Sequence, residues 1–178
     1  MTHPRRYELA GSLLLPWIRR RMFVRLAERA GVGPGDRVLD VGCGTGALTR
    51  AVAAAVSPGG SVLGVDPSRQ MVEYARRRAE RRGENSSFAL GVAQELDAED
   101  GSFDAVVSSF AVHHVPEDRR ERAFAEMFRV LRPGGRLLVA DFRGHAERHA
   151  AMVARAGFVD LARGRVFPMA HWITAVRP

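Results

Sequence analysis

The chain has no lysine: all 27 of its basic side chains are arginine, against 20 acidic ones, for a net charge of +7. This reads as coding bias more readily than as a functional device. A balance this basic admits nucleic acid, anionic lipid or acidic small molecules as partners and selects none of them. There is one cysteine, Cys43, so no disulfide can form within the chain, in keeping with a reducing compartment. No apolar run approaches the roughly 20 residues of a membrane-spanning helix. Residues 9–18, LAGSLLLPWI, follow Arg5-Arg6, but they are short, hold Pro16 and run into Arg19-Arg20-Arg21 without a small-residue cleavage site. They are not expected to be a secretory leader, and the expected location is cytoplasmic. Repeats, low-complexity tracts and linkers are also missing. One domain over 1–178 is expected, made of an N-terminal helical segment, 1–34, and a ligand-binding core, 35–178. That length buries a sizeable core without metals or disulfides.

What the sequence does contain is alternation. Residues 17–30 read as a helix with Pro16 in its first turn, Ile18, Met22 and Leu26 on one face, and Gly31 and Gly33 ending it. Strand-like stretches at 37–41, 61–65, 87–90, 105–109 and 136–142 alternate with helical ones at 45–56, 68–82, 118–131 and 145–156. Two last strand-like runs, 158–162 and 171–176, suit a hairpin. The pattern predicts a Rossmann-like, doubly wound α/β sheet of about seven strands, mostly parallel, with an antiparallel C-terminal hairpin. Such sheets bind ligands beyond the carboxyl ends of their strands. The relevant tips are 40–46, 66–68, 91–95, 108–114 and 141–144.

The first tip reads VLDVGCGTG, 38–46. A tight strand-to-helix turn explains one glycine well and three poorly. Gly42, Gly44 and Gly46 together let a ligand approach the backbone, and the helix that follows favours an anion at its N-terminus. Asp66 ends the second strand, where a carboxylate either accepts both hydroxyls of a ribose or caps the next helix. Together the two tips point to an adenosine-containing ligand. The spacing G-C-G-T-G is one residue short of the dinucleotide fingerprint G-x-G-x-x-G. Asp40 also suits a cationic ligand better than a pyrophosphate.

Four segments, VLDVGCGTG at 38–46, GVDPS at 64–68, DGSFDAVVSSFAVHH at 100–114 and RVLRPGGRLLVADF at 129–142, resemble the class I S-adenosylmethionine-dependent methyltransferases. The small-molecule and quinone-type members are the most similar, and the resemblance covers about 35–176. It implies S-adenosylmethionine as cofactor and a small, apolar or aromatic metabolite as methyl acceptor. It also implies roles for matching residues. The loop Gly42, Cys43, Gly44, Gly46 would hold the methionine part, with Asp40 near its ammonium. Asp66 would bind the ribose, Pro67 and Met71 would lie near the adenine, Ala93 and Gln94 would flank its edge, and the Ser108 carbonyl would meet the amino group. Relatives commonly carry an aspartate where this chain has Val92. Losing that acceptor should weaken cofactor binding by about 1–3 kcal/mol, unless Gln94, Glu95 or water replaces it.

Methyl transfer to oxygen, nitrogen or activated carbon needs a proton removed. His113 and Asp141 sit at strand tips on the acceptor side and are the candidate bases, with helix-entry packing and loop capping as their structural alternatives. His145 and His149 have a metal-ligand spacing, yet a solvated helix face is the expectation, and no metal is expected. His171 has no assigned role. Tyr7, Leu13, Leu14, Trp17 and Phe110 are the candidates for an apolar acceptor pocket. Arg21, Arg25 and Arg29 recur every four residues, as a solvated face or as a basic surface for lipid or RNA. RNA as substrate is disfavoured, because the fourth strand ends in SSFA and not in the Asn/Asp-Pro-Pro-aromatic pattern of base-amino methyltransferases. A non-catalytic binding protein on the same fold is the third reading. A site without an inserted lid leaves room for a second copy of the chain, a homodimer, to complete it.

Overall fold

The computed structural model describes residues 16–178. Tyr7, Leu13 and Leu14 lie outside the described residues. Helix α1 spans Pro16–Arg29, α2 Ala47–Val56, α3 Arg69–Glu80, α4 Arg120–Val130 and α5 Ala146–Arg155. Strands β1 to β7 are Arg37–Val41, Ser61–Asp66, Ser86–Leu90, Phe103–Ser109, Leu131–Phe142, Val159–Phe167 and Ala170–Val176. They form one sheet in the order β3-β2-β1-β4-β5-β7-β6. The first five run parallel, and β7 pairs antiparallel with both β5 and β6. The Rossmann-like sheet and its antiparallel hairpin are therefore as expected. The expected boundaries move in two places. The β5 strand begins at Leu131, because Leu131 already pairs with Phe103. The hairpin reaches Phe167, far past residue 162, because β6 stays paired with β7 to its end.

The period-2 alternation of the central strands feeds two cores. Leu39, Val106, Leu137 and Val139 point to one face, under Phe124, Met127 and Val153 of α4 and α5. Val38, Ala105, Val107 and Leu138 point to the other, under Leu48 and Val52 of α2 and Phe23 and Leu26 of α1. A smaller cluster joins Cys43 and Phe88 to Val72 and Ala75 of α3. Arg177 closes the C-terminal end by donating to the Phe128 and Arg129 carbonyls at 3.1 and 2.9 Å, and to that of Leu131.

Two expectations about helix faces are corrected. The buried stripe of α1 is Phe23, Leu26, Ala27 and Ala30, while Ile18 is exposed and Met22 half-buried. The α1 helix packs on α2, and that contact, invisible in the local pattern, rotates the buried face away from Ile18. His149 is not on a solvated face. It is fully buried against Phe124, His145 and His171, and neither ring nitrogen has a hydrogen-bond partner. Burial pushes its pKa down from 6.5 to about 4, the Asp141 carboxylate opposing and the neighbouring His171 and His145 adding to the fall.

The unfolded chain therefore takes up a proton at position 149 before the folded one does. Stability from this residue is full above pH 6.5 and drains away as the pH falls towards 4. Replacing His149 by leucine removes two unpaired buried nitrogens and should leave the protein as stable at pH 8 or more so. Denaturant melts of both proteins across this range should show the wild type losing stability relative to His149→Leu on acidification. A pH-independent difference would mean that His149 does not titrate in this way.

Candidate functional site

The sheet comes apart at one place. Strands β1 and β4 stay paired as far as Asp40 and Val107. The chain leaving β1 then leans towards β2, where the Gly42 and Cys43 N–H groups both donate to the Val65 carbonyl at 2.8 and 3.0 Å. The chain leaving β4 leans the other way, its Phe110 N–H on the Ala140 carbonyl at 2.8 Å. Between them Ser108 donates its hydroxyl to the Val41 carbonyl at 2.8 Å. Strand order reverses here, and such a switch point opens a crevice. The crevice is a cavity of about 440 Å³, well within the size of small-molecule sites.

The three glycines of the β1 tip have three different reasons. All have positive φ, +74° at Gly42, +52° at Gly44 and +73° at Gly46. A Cβ on Gly42 would sit 2.2 Å from the Cβ of Ala111, so this glycine lets the β4 loop close over the turn. One on Gly46 would press on the Phe88 ring at 3.1 Å. At Gly44 nothing lies within 4 Å, and this backbone lines the cavity. Of the three, Gly44 is the one whose missing side chain leaves room for a ligand. Cys43 also lines the cavity, and burial, with Asp40 and Asp66 nearby, pushes its thiol up, away from the reactive thiolate.

Two carboxylates lie beside this loop, and one of them bonds it. Asp66 Oδ2 accepts the Gly44 N–H and Oδ1 the Ser68 N–H, both at 2.9 Å. Ser68, with its Oγ accepting the Met71 N–H at 3.4 Å, caps α3. Asp66 thus pins the glycine loop and lines the cavity, and each of its oxygens has acceptor capacity beyond the bond it makes. Asp40 is fully buried and is not among the lining residues. Its Oδ2 accepts the Thr49 hydroxyl of α2 at 2.6 Å, while Oδ1 has no partner. Burial raises its pKa to about 7, the Thr49 bond opposing that shift.

Further along the wall, Pro67 and Met71 follow Asp66, and Val92, Ala93 and Gln94 come from a tight turn in which the Glu95 N–H bonds the Val92 carbonyl at 3.1 Å. The opposite wall is the loop after β4. Phe110 takes φ +53°, a left-handed conformation that an aromatic residue adopts only under constraint, and its ring packs on Phe142 at 5.4 Å. A short 3-10 turn, Val112–His114, follows. His113 does not line the cavity. Its Nδ1 meets Asp141 Oδ1 at 2.6 Å and its backbone N–H donates to Oδ2 at 3.0 Å. Asp141, itself fully buried and outside the lining, also accepts the Phe142 N–H at 2.8 Å. Arg120 completes the brace, donating to the carbonyls of Val115 and His113, both at 2.9 Å. The histidine that faces the cavity is His114, 3.9 Å ring to ring from His113. Partial burial, and then the neighbouring His113, lower its pKa. Among the described residues no group of three or more His, Cys, Asp or Glu side chains is placed to hold a metal.

Sequence reasoning missed Arg19 and Phe23, which reach the cavity from α1. Their i, i+4 spacing put them on one helix face, but nothing local said that this face overlooks the crevice. Trp17, expected near the acceptor, is exposed and does not line the cavity, whereas Phe110 does.

A family model described as a methyltransferase domain matches residues 38–135. The chain is 40% identical over 149 residues to the methyltransferase GfsG of Streptomyces halstedii, covering 82% of this chain and 52% of that protein. It is 38% identical over 139 residues to the ubiquinone/menaquinone biosynthesis C-methyltransferase UbiE of Ectopseudomonas mendocina, covering 77% and 54%. Both matches thus span about half of the relative's length. Among solved structures, a SAM-dependent methyltransferase from Aquifex aeolicus superposes with a TM-score of 0.79 at 20% identity, covering 86% of this chain and 88% of that one. The [4+2]-cyclase SpnF superposes with a TM-score of 0.77 at 24% identity, covering 89% and 80%. At such identities the likeness is one of fold.

Gly42→Ala should be the most damaging single change in the loop, because the new Cβ overlaps Ala111 and the φ is strained besides; its melting temperature should fall by several degrees and ligand binding should be lost. Asp40 gives a pH signature. Its folded pKa lies above the unfolded 3.8, so its stability contribution is full below 3.8 and is lost as the pH rises to about 7. Wild type should therefore lose ground to Asp40→Asn between those values in parallel denaturant melts. Equal pH dependence in both would rule out the raised carboxyl.

Proposed function

The chain belongs to the class I S-adenosylmethionine-dependent methyltransferases, and from that membership we propose that it methylates a small, apolar or aromatic metabolite. The observation that carries the reading is the pairing of Gly44, open to the cavity, with Asp66, which pins that glycine and lines the same space with acceptor capacity to spare. The residues fit a ligand with an amino-acid half and an adenosine half. The Gly42–Gly46 loop and the Ser108 carbonyl suit the first half, and Asp66, Pro67, Met71, Ala93 and Gln94 suit the second. Asp40, with an unpaired buried oxygen behind the loop, is drawn towards its charged form by a nearby cation. Arg19, at the cavity wall with Ala47 and Leu48 of the α2 first turn, offers a counter-charge for a carboxylate.

When bound, the cofactor supplies an electrophilic methyl group on a sulfonium. The chain's own residues then orient the acceptor and exclude water. Phe23, Phe110, Val112, Val115 and Pro116 make that side of the cavity apolar, which supports an apolar or aromatic acceptor. His114, at the wall and with its pKa lowered, is placed to take a proton at a ring nitrogen. His113 and Asp141 act one step back, holding the loop that presents His114. The quinone and arsenite methyltransferases among the relatives support a small-molecule acceptor, and we read α1 as part of the acceptor side.

Calorimetric titration of S-adenosylmethionine and S-adenosylhomocysteine, with NADH as control, should show binding of the first two only. Asp66→Ala should weaken it by roughly ten- to a hundredfold, the worth of a charged hydrogen bond of about 1.5–3 kcal/mol. Val92→Asp should strengthen it by tenfold or more if the adenine amino group is unpaired in the wild type; unchanged affinity would show that Gln94, Glu95 or water already pairs it. Absence of binding by the folded wild type would refute the methyltransferase reading and favour a partner-binding protein.

A further inference from the structure

The outer face of α1 is a surface motif that the proposed reaction does not absorb. Its inner face, Phe23, Leu26, Ala27 and Ala30, is buried. On a helical wheel the opposite side carries Trp17, Arg21, Val24, Arg25, Glu28 and Ile18 within about a third of a turn of one another, with the exposed Arg20 at its flank. Trp17 is 54% exposed, Val24 39% and Ile18 37%. Three exposed apolar side chains on one short helix, interleaved with arginine, are unusual for a solvated face.

Elsewhere on the surface several arginines meet a carboxylate, as Arg77 meets Glu73, Arg132 Asp104, Arg148 Glu117, Arg155 Glu121 and Arg163 Glu147. Among the described residues, Arg20, Arg21 and Arg25 have no such partner; Arg21 lies over the Trp17 ring at 5.3 Å. The helix has no acid in its first turn, and its one acidic residue is Glu28. A cluster of arginines at the positive end of a helix is unfavourable in isolation and favourable against a negative surface.

We propose that the exposed face of α1 docks on an anionic lipid bilayer, with Trp17, Ile18 and Val24 entering the interface and Arg20, Arg21 and Arg25 meeting the headgroup phosphates. Helices of this kind lie in the plane of the membrane. Charge complementarity selects an anionic partner. The aliphatic Ile18 and Val24 select lipid over nucleic acid, since they add nothing to base stacking or phosphate binding. The same helix sends Arg19 and Phe23 from its opposite face into the cavity, so one helix would carry both the docking surface and part of the cavity wall. The docking itself does not rest on the identity of the acceptor or on methyl transfer.

The test is flotation of the full chain with vesicles of phosphatidylcholine alone and of phosphatidylcholine mixed with phosphatidylglycerol. The chain should float with the mixed vesicles, and binding should weaken as salt is raised. Reversing Arg20, Arg21 and Arg25 to glutamate should lower the partition coefficient by well over tenfold. Trp17→Ser with Ile18→Ser should lower it by roughly tenfold or more. None of these side chains lines the cavity, so S-adenosylhomocysteine titration reads the site separately, and circular dichroism reads folding. In a Trp172→Phe background, Trp17 emission should shift to shorter wavelength on mixed vesicles. Equal binding to both vesicle types, no binding by folded protein, or variants that float like the wild type would overturn the proposal. So would salt-sensitive binding to single-stranded RNA that the same arginine reversals abolish in the absence of any vesicle binding.

Discussion

The divergence of β1 and β4 is the constraint on which the site depends. Parallel neighbours are held by a continuous ladder, and here the ladder stops at Asp40 and Val107 because each chain finds backbone partners on its outer side. Val65 takes two amides from the β1 turn, and Ala140 takes one from the β4 loop. The space between is bridged by the Ser108 hydroxyl, which replaces a ladder bond with a side-chain one and keeps the crevice narrow at its base. Two walls of the cavity follow from this split. The glycine loop forms one side, the Phe110–Pro116 loop the other, and α1 overlooks both, while Asp66–Met71 and Gly91–Gln94 continue the first wall.

Carboxylates hold this opening in shape by bonding to backbone amides rather than to cations. Asp66 ties the β1 turn to the start of α3, and Asp141 ties the β4 loop to the end of β5. An ionised carboxylate makes stronger bonds to N–H donors than a neutral acceptor does, so two short side chains fix two loops that have no regular structure of their own. Arg120 does the converse, donating to two carbonyls of the β4 loop. The arrangement leaves a rigid mouth, and rigid placement is what a bimolecular transfer between two bound molecules needs.

The fold also carries buried groups that do not favour the folded chain. Asp40 has one buried oxygen unpaired, and His149 has two unpaired nitrogens. Each resolves the cost by moving towards its neutral form, the acid by a raised pKa and the base by a lowered one. Asp40 lies directly behind the glycine loop, where an unpaired carboxyl oxygen has a use for a cationic ligand. His149 lies on the inner face of α5 among other histidines, away from the cavity, and its retention has no explanation in the contacts seen.

The sequence by itself determined the order of strands and helices, the positions of the tips and the residues at the β1 and β2 ends. Those features are written in local periodicity and in short motifs, and local backbone preference is strong enough to read them. It also carried the resemblance from which the cofactor follows. It did not determine which residues face the crevice. His113 and His114 are adjacent in the chain, and only the Asp141 carboxylate, arriving from another strand, decides that His113 turns inward and His114 outward. Gly42, Gly44 and Gly46 look equivalent as a motif, and only Ala111 and Phe88, brought up by tertiary packing, separate two packing glycines from the one left open. The inner face of α1 was decided in the same way, by its contact with α2. In each case the deciding partner is distant in sequence, so no local pattern could have held the information.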